Sequence, residues 1–100
     1  MDIDKPIDSG FTIYSKSGCP NCLKSKALLK EKNLLFKVID CDEYILEDKP
    51  FFLSFINSIA SEEVKTFPMI FYDGKFVGGF TETTNFIDKL ILSFEDNFSF

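Results

Sequence analysis

The chain has 100 residues, 45% of them hydrophobic, and a formal net charge of −5. That length fits one domain over residues 1–100, and 13 phenylalanines supply apolar bulk for a packed core. All 11 basic residues are lysine and there is no histidine. This excludes guanidinium readout of phosphate or guanine, Ser-His-Asp triads, Cys-His dyads and histidine-ligated metal sites, and the acidic balance speaks against a nucleic-acid surface.

Residues 1–9 are acidic, carry Pro6 and read as a frayed lead-in or a short first helix. The start, Met1-Asp2-Ile3-Asp4, has neither a basic nor an apolar leader region, so no signal peptide is expected. No apolar run approaches the ~20 residues of a membrane span. With three cysteines and no export signal, the chain is expected in a reducing compartment, the cytoplasm.

A first strand is predicted over 10–15. A helix follows over 20–32, where Leu23, Ala27 and Leu28 recur at helical spacing, Leu29 widens the face and Asn33 offers a stop. The apolar run over 34–39 predicts a second strand covered on both faces. Strand, helix and strand make a βαβ unit with a right-handed crossover. Asp40-Cys41-Asp42-Glu43 reads as a turn. After Pro50, a helix is expected over 51–59, with apolar residues at 52, 55, 56 and 59. A third strand is predicted over 66–72, with Pro68 near its start, where a ladder N–H is dispensable. Asp73-Gly74 is a hairpin turn, Lys75-Phe76-Val77-Gly78 its partner strand. Thr81 is expected to cap a last helix whose inner face is Phe86, Ile87, Leu90, Ile91 and Phe94. The order is βαβ-α-ββα.

The chemistry sits at Cys19-Pro20-Asn21-Cys22. Two thiols at C-x-x-C spacing, where a strand turns into a helix, are laid out as a dithiol redox site. Pro20 suits the first helical position, because its missing N–H costs nothing there. Cys19 is then the cap residue. The free N–H groups of Asn21 and Cys22 face its sulfur, and the helix dipole favours a thiolate. Lys16, three residues upstream, adds a second positive field. Half of a zinc site is the second reading. It needs two more ligands, and only Cys41 and carboxylates remain, none of them a second pair at suitable spacing. A structural disulfide is the third, though it closes only a tiny loop. Cys41 reads as a small buried residue, with an accessory thiol as its alternative.

The order of elements, the C-x-x-C and a Thr-x-Pro before the third strand resemble the thioredoxin superfamily. The details are similar to the glutaredoxin family. The matches are Tyr14 to Cys22 (YSKSGCPNC), Thr66-Phe67-Pro68, Asp73 to Phe80 (DGKFVGGF) and Thr81-Glu82. Together they cover roughly residues 10–93. Thioredoxins proper carry tryptophan before the first cysteine and Gly-Pro between the pair; here Gly18 precedes Cys19, and Pro20-Asn21 lies inside.

The resemblance implies a thioredoxin-like α/β fold, with a four-stranded mixed sheet flanked by helices, and glutathione as co-substrate. Cys19 matches the nucleophile and Cys22 the resolving thiol. Lys16 matches the lysine that pairs with the glycyl carboxylate of glutathione. Thr66 and Phe67 match the segment that bonds its cysteinyl part as an added strand would. Pro68 matches the proline that is cis in this superfamily. Gly79 and Phe80 match the turn beside the tripeptide; Thr81 and Glu82 match the pair that holds its γ-glutamyl end. Asn21 stands where the commonest relatives carry an aromatic, which replaces apolar rim contact by an amide. Plainer readings stand beside these: Lys16 as a solvated lysine, Thr81 and Glu82 as caps only, Pro68 as a trans edge proline.

The expected partners are glutathione and disulfide-bonded or glutathionylated proteins, with no nucleic acid, no membrane and no metal. The protein is expected to be a monomer. Two rival activities remain: an electron donor to one dedicated target such as ribonucleotide reductase, and an iron–sulfur carrier ligated by Cys19 and glutathione.

Overall fold

A computed structural model describes the backbone of residues 1–98 and the side chains of residues 1–92. Four strands and three helices follow one another as β1 (Phe11–Ser15), α1 (Pro20–Glu31), β2 (Phe36–Asp40), α2 (Asp42–Ala60), β3 (Met69–Tyr72), β4 (Lys75–Gly78) and α3 (Phe80–Phe98). The sheet order is β2-β1-β3-β4. β1 and β2 are parallel; β1 with β3 and β3 with β4 are antiparallel. The sheet is thus mixed and the fold thioredoxin-like, as expected.

β1 is central, and all five of its residues are buried. Successive side chains of a strand point to opposite faces, so β1 feeds two cores. Phe11 and Ile13 meet Leu29 of α1, Ile70 of β3 and Ile87 of α3. Tyr14 meets Phe52 and Ile56 of α2, with Met69 and Phe71 of β3. Helices α1 and α3 therefore cover one face of the sheet and α2 the other.

Several sequence-based expectations shift. β2 is an edge strand, not one covered on both faces: of its five residues only Ile39 is buried, and Leu35 before it is 68% exposed. A run of apolar residues cannot tell an edge from a centre; Lys37 on this edge discourages further pairing. α1 buries Cys22, Ser25 and Leu29, while Leu23 is 67% exposed and Ala27 also faces solvent. Asn33 does stop α1. It adopts φ 56°, its N–H donates to the Lys30 carbonyl (3.1 Å), and the Leu34 N–H donates to the Leu29 carbonyl (3.0 Å).

α2 starts at Asp42, not after Pro50: of the Asp40–Glu43 stretch expected as a turn, Asp40 ends β2, Cys41 is the N-cap, and Asp42 and Glu43 lie in the first helical turn, where the dipole favours them. The helix breaks at Asp48 (φ −160°, ψ 85°), whose carboxylate accepts the Phe51 N–H at 3.0 Å and caps the second segment. That segment contains the expected 51–59 helix, with Phe52 and Ile56 buried. β3 starts at Met69, leaving Thr66-Phe67-Pro68 as a connector before it. Asp73 and Gly74 both have positive φ, as a two-residue hairpin requires. α3 starts at Phe80, so Thr81 lies inside its first turn rather than capping it; the Thr83 N–H already donates to the Gly79 carbonyl (3.0 Å). Ile87 is buried and Phe86, Leu90 and Ile91 are half-buried, while Phe94 lies outside the described side chains.

The lead-in forms no helix and is tied down. The Tyr14 hydroxyl donates to the Asp4 carbonyl (2.6 Å), the Ile7 N–H donates to Thr12 Oγ1 (2.9 Å), and Ile3 packs on the α2-side core. No helix among the described residues is long and apolar enough to cross a membrane.

Phe52 lies in the α2-side core with three other rings around it: Tyr14 at 6.4 Å, Tyr44 at 5.7 Å and Phe67 at 5.9 Å between ring centroids. Phe52→Ala is expected to cost about 3–5 kcal/mol, measured by urea unfolding. A loss under about 1 kcal/mol would show that the core closes without this ring.

Candidate active site

The site begins where β1 ends. Residues 16–18 carry the chain from Ser15 to Cys19, and Gly18 turns it with φ 68°. Cys19 is the N-cap of α1, with extended backbone (φ −114°, ψ 100°), and Pro20 takes the first helical position, as expected. The Cys22 N–H donates to Cys19 Sγ at 3.2 Å. The expected second donor, the Asn21 N–H, makes no such bond among the described residues. Cys19 and Cys22 are joined as a disulfide, with a Cα–Cα distance of 5.2 Å. Their exposure differs: Cys19 is 8% exposed and Cys22 1%. Cys19 is therefore the more accessible of the two.

The loop before Cys19 is braced from α2. The Asp42 carboxylate accepts the Ser17 N–H (2.9 Å) and also the Ser17 hydroxyl. The Cys41 N–H donates to the Ser15 carbonyl at 2.8 Å. The two Ser17 bonds, helped by the nearby Lys16 charge, hold the Asp42 carboxyl below its ordinary value of 3.8. Sequence reading missed this brace. An aspartate just after β2 signals a turn or a helix start, and nothing in the pattern says which loop it meets.

The Thr66–Pro68 connector shares a hollow with Lys16, which also borders the hollow of the dithiol. The Phe67–Pro68 bond is cis; Pro68 is buried, Phe67 half-buried and Thr66 exposed. The Phe67 ring stacks on Phe52, with 6° between the planes, and Lys16 Nζ lies 5.6 Å from its centroid. Lys16 is thus tied to an aromatic face as well as solvated.

Three hollows organise the surface. Lys16, Cys19, Cys22 and Lys26 border the first, on the β2 side of the dithiol. Lys16, Lys49, Lys65, Thr66 and Phe67 border the second. Glu62, Thr66, Pro68, Gly79 and Glu82 border the third. Six of the residues singled out from sequence beside the two cysteines, Lys16, Thr66, Phe67, Pro68, Gly79 and Glu82, therefore meet around neighbouring concavities. Asn21, Phe80 and Thr81 border none of the three. Asn21 is exposed, and its carbonyl accepts the Ser25 hydroxyl (2.7 Å). Phe80 lies under Lys24 Nζ, 6.0 Å from its centroid.

Glu82 has a structural duty. Its Oε1 accepts the Gly79 N–H at 2.8 Å, the return half of a capping box. Gly78 has φ 137°, and a Cβ there would come within 2.6 Å of Glu82 Cβ. Glycine at 78 is required by backbone and neighbour together.

The sequence matches the glutaredoxin family profile over residues 11–77. The chain belongs to the glutaredoxin family. Its curated relatives include glutaredoxin 1 of Rickettsia felis, 38% identical over 77 residues, spanning 77% of this chain and 71% of that one. Among solved structures, glutaredoxin 1 of Francisella tularensis, complexed with cacodylate, superposes with a TM-score of 0.70 at 31% identity, over 81% of this chain and 94% of that one. A buckwheat glutaredoxin–glutathione complex shares the fold (TM-score 0.63, 22% identity, 78% and 68% of the two chains). This glutaredoxin is a thiol–disulfide oxidoreductase with a redox-active Cys19–Cys22 pair.

The third thiol is set apart from that chemistry. Cys41 is free and fully buried. Burial first, then the charges of Asp40 and Asp42, push its pKa up to about 12 from an ordinary 9.0, against a lowering by its bond with Ser15. At neutral pH it is a thiol inside and outside the fold. In the reduced protein, iodoacetamide at neutral pH should label Cys19 and leave Cys41 untouched until denaturant is added, read by mass spectrometry. The sign for stability follows. The folded state keeps the Cys41 proton to higher pH than the unfolded state, so its contribution is intact below about pH 9 and is lost as pH rises through 9 to 12. Early labelling of Cys41 at neutral pH would contradict both statements.

Proposed function

We propose that this glutaredoxin is a cytoplasmic, glutathione-dependent enzyme that reduces protein disulfides and protein–glutathione mixed disulfides, with all 100 residues acting as one domain. The observation that supports this most directly is Cys19 at a helix N-terminus, the more exposed of the two cysteines, bordering a hollow that shares Lys16 with the lysine-lined hollow, which in turn adjoins the one lined by Glu82.

Glutathione carries two carboxylates and one ammonium. In this reading Lys16 takes the glycyl carboxylate, and the backbone of Thr66 and Phe67 pairs with the cysteinyl part. Glu82 pairs with the ammonium through the carboxylate oxygen that Gly79 does not use. The orphan N–H groups of the first turn of α3, at Phe80, Thr81 and Glu82, face the γ-glutamyl carboxylate.

With a glutathionylated protein, the Cys19 thiolate attacks the glutathione sulfur and the protein leaves as a thiolate. A second glutathione thiolate then attacks the mixed disulfide, releasing oxidised glutathione and regenerating Cys19. With a protein disulfide, Cys19 forms a mixed disulfide with the protein. Cys22 then attacks the Cys19 sulfur, the protein leaves reduced, and two glutathiones reduce the resulting Cys19–Cys22 disulfide. The Cys22 N–H that bonds Cys19 Sγ, together with the dipole of α1, stabilises negative charge on that sulfur, both in attack and as leaving group. Potentials in this family, about −200 to −230 mV, lie near the cytosolic glutathione poise, so the cycle can run in either direction.

Turnover coupled to glutathione and glutathione reductase with a small disulfide tests the dependence; no turnover would refute it. Cys19→Ser is expected to abolish all activity. Cys22→Ser should keep deglutathionylation and lose reduction of protein disulfides, and the opposite pattern would reverse the two roles.

Lys16→Glu and Glu82→Gln should each lower kcat/KM for glutathione about tenfold, the scale of one charge-assisted hydrogen bond. Glutamine is the sharper probe at 82, because it keeps an acceptor for the Gly79 N–H. Lysine there would also lose the cap, at about 0.5–2 kcal/mol. Unchanged kinetics in both variants would leave the glutathione contacts unsupported.

A further inference from the structure

Two adjoining hollows that share Lys65 and Thr66 carry opposite charge, Lys16 links the first of them to the hollow that Cys19 borders, and β4 gives the pair a direction. Lys16 and Lys49 border the hollow next to Phe67; Glu62 and Glu82 border the one next to Pro68 and Gly79. Glu63 and Lys65 pair with each other at 3.0 Å where the two hollows meet. Among the described residues, neither the two remaining lysines nor the two remaining glutamates have an ion-pair partner.

Between the ends lie Thr66 and Phe67, which make no backbone hydrogen bond among the described residues. They lead directly into β3, whose pairing with β4 reaches Ile70–Gly78. There the chain leaves the sheet for α3, so the strip alongside 66–68 is an open ladder. An extended segment filling it continues the line of β4 and, like β4, runs antiparallel to β3. Its N-terminal side then lies by Gly79 and Glu82, and its C-terminal side by Thr66 and Lys16.

We infer that the protein disulfides this enzyme reduces fastest lie in extended segments that read, from N- to C-terminus, basic residue, cysteine, acidic residue. This rests on the proposed attack by Cys19 in this groove. The basic side chain meets Glu62 and Glu82 and the acidic one meets Lys16 and Lys49. The reverse order sets like charges against each other at both ends. Cys19 thiolate bonds the segment's cysteine sulfur while that cysteine's partner leaves as a thiolate. Cys22 then bonds Cys19 Sγ, and the segment leaves as the second thiolate.

The test is a single turnover of pre-reduced protein, without glutathione, on disulfide homodimers of two isomeric peptides, Lys-X-Cys-X-Glu and Glu-X-Cys-X-Lys, with a neutral peptide as reference. Peptide thiol release should be about fivefold faster for the first isomer at low salt, the scale of two solvent-exposed ion pairs. The difference should shrink at about 1 M salt, where screening is short-ranged. Combining Lys49→Glu with Glu62→Lys should remove or invert the preference. Equal rates for the two isomers with unaltered protein, or faster release from the second, overturn the inference, and that comparison needs no variant. Because glutathione is absent, failure of the coupled glutathione assay refutes the proposed function without touching this result.

Discussion

The stack of Phe67 on Phe52 joins the core to the site. Phe52 of α2 is fully buried, with Tyr14 of β1 and Tyr44 of its own helix as ring neighbours. Phe67 lies parallel to it, and the Lys16 ammonium rests over the Phe67 ring. One column of side chains thus runs from the interior to a charged group at the groove. Aromatic contacts of this kind add about 0.5–1.5 kcal/mol each beyond burial, and here they also set where the Thr66–Pro68 connector stands relative to the dithiol loop. A connector that belongs to no regular element is positioned by the core.

A second constraint acts on the loop itself. Residues 15–18 are held from below by the Cys41 N–H and from the side by the Asp42 carboxylate. Both come from the start of α2, on the opposite face of the sheet from α1. The helix that Cys19 caps and the helix that steadies its approach loop are therefore different elements. Because Asp42 is only half-buried and bonds through both oxygens, the brace is local geometry rather than buried charge.

Much of this was legible in the residues. The element order, the cap position of Cys19, Pro20 at the first helical position, the αL stop at Asn33 and the hairpin at Asp73-Gly74 each have a local physical cause that reads directly from side-chain chemistry. What failed depended on neighbours. The apolar run of β2 looked buried on both faces, because periodicity carries no information about whether a strand lies at an edge. Leu23 and Ala27 looked like core, yet α1 presents Cys22, Ser25 and Leu29 inward; a serine whose hydroxyl bonds back to the Asn21 carbonyl can be buried without cost that a pattern would flag. Thr81 looked like a cap because threonine favours caps, but the backbone turned two residues earlier. Thr66, Phe67, Pro68, Gly79 and Glu82 were singled out by likeness to a family, and their clustering follows from β3 and β4 being paired.

Gly78 and Glu82 form a unit with a consequence for how this chain can vary. The glutamate folds back to satisfy the Gly79 N–H, and in doing so its own Cβ and Cγ fill the space that any side chain at 78 would need. A substitution at 78 is blocked twice, by torsion and by volume, so trimming residue 82 clears only one of the two obstacles. Drift at 82 toward a smaller polar residue is open by comparison, since it vacates space and needs only another acceptor for one N–H. In packing terms, sequence change at the mouth of α3 is thus directional: position 82 can move first, at the loss of the carboxylate proposed for the glutathione ammonium, whereas position 78 can move only after it and only with a shift of the β4 backbone.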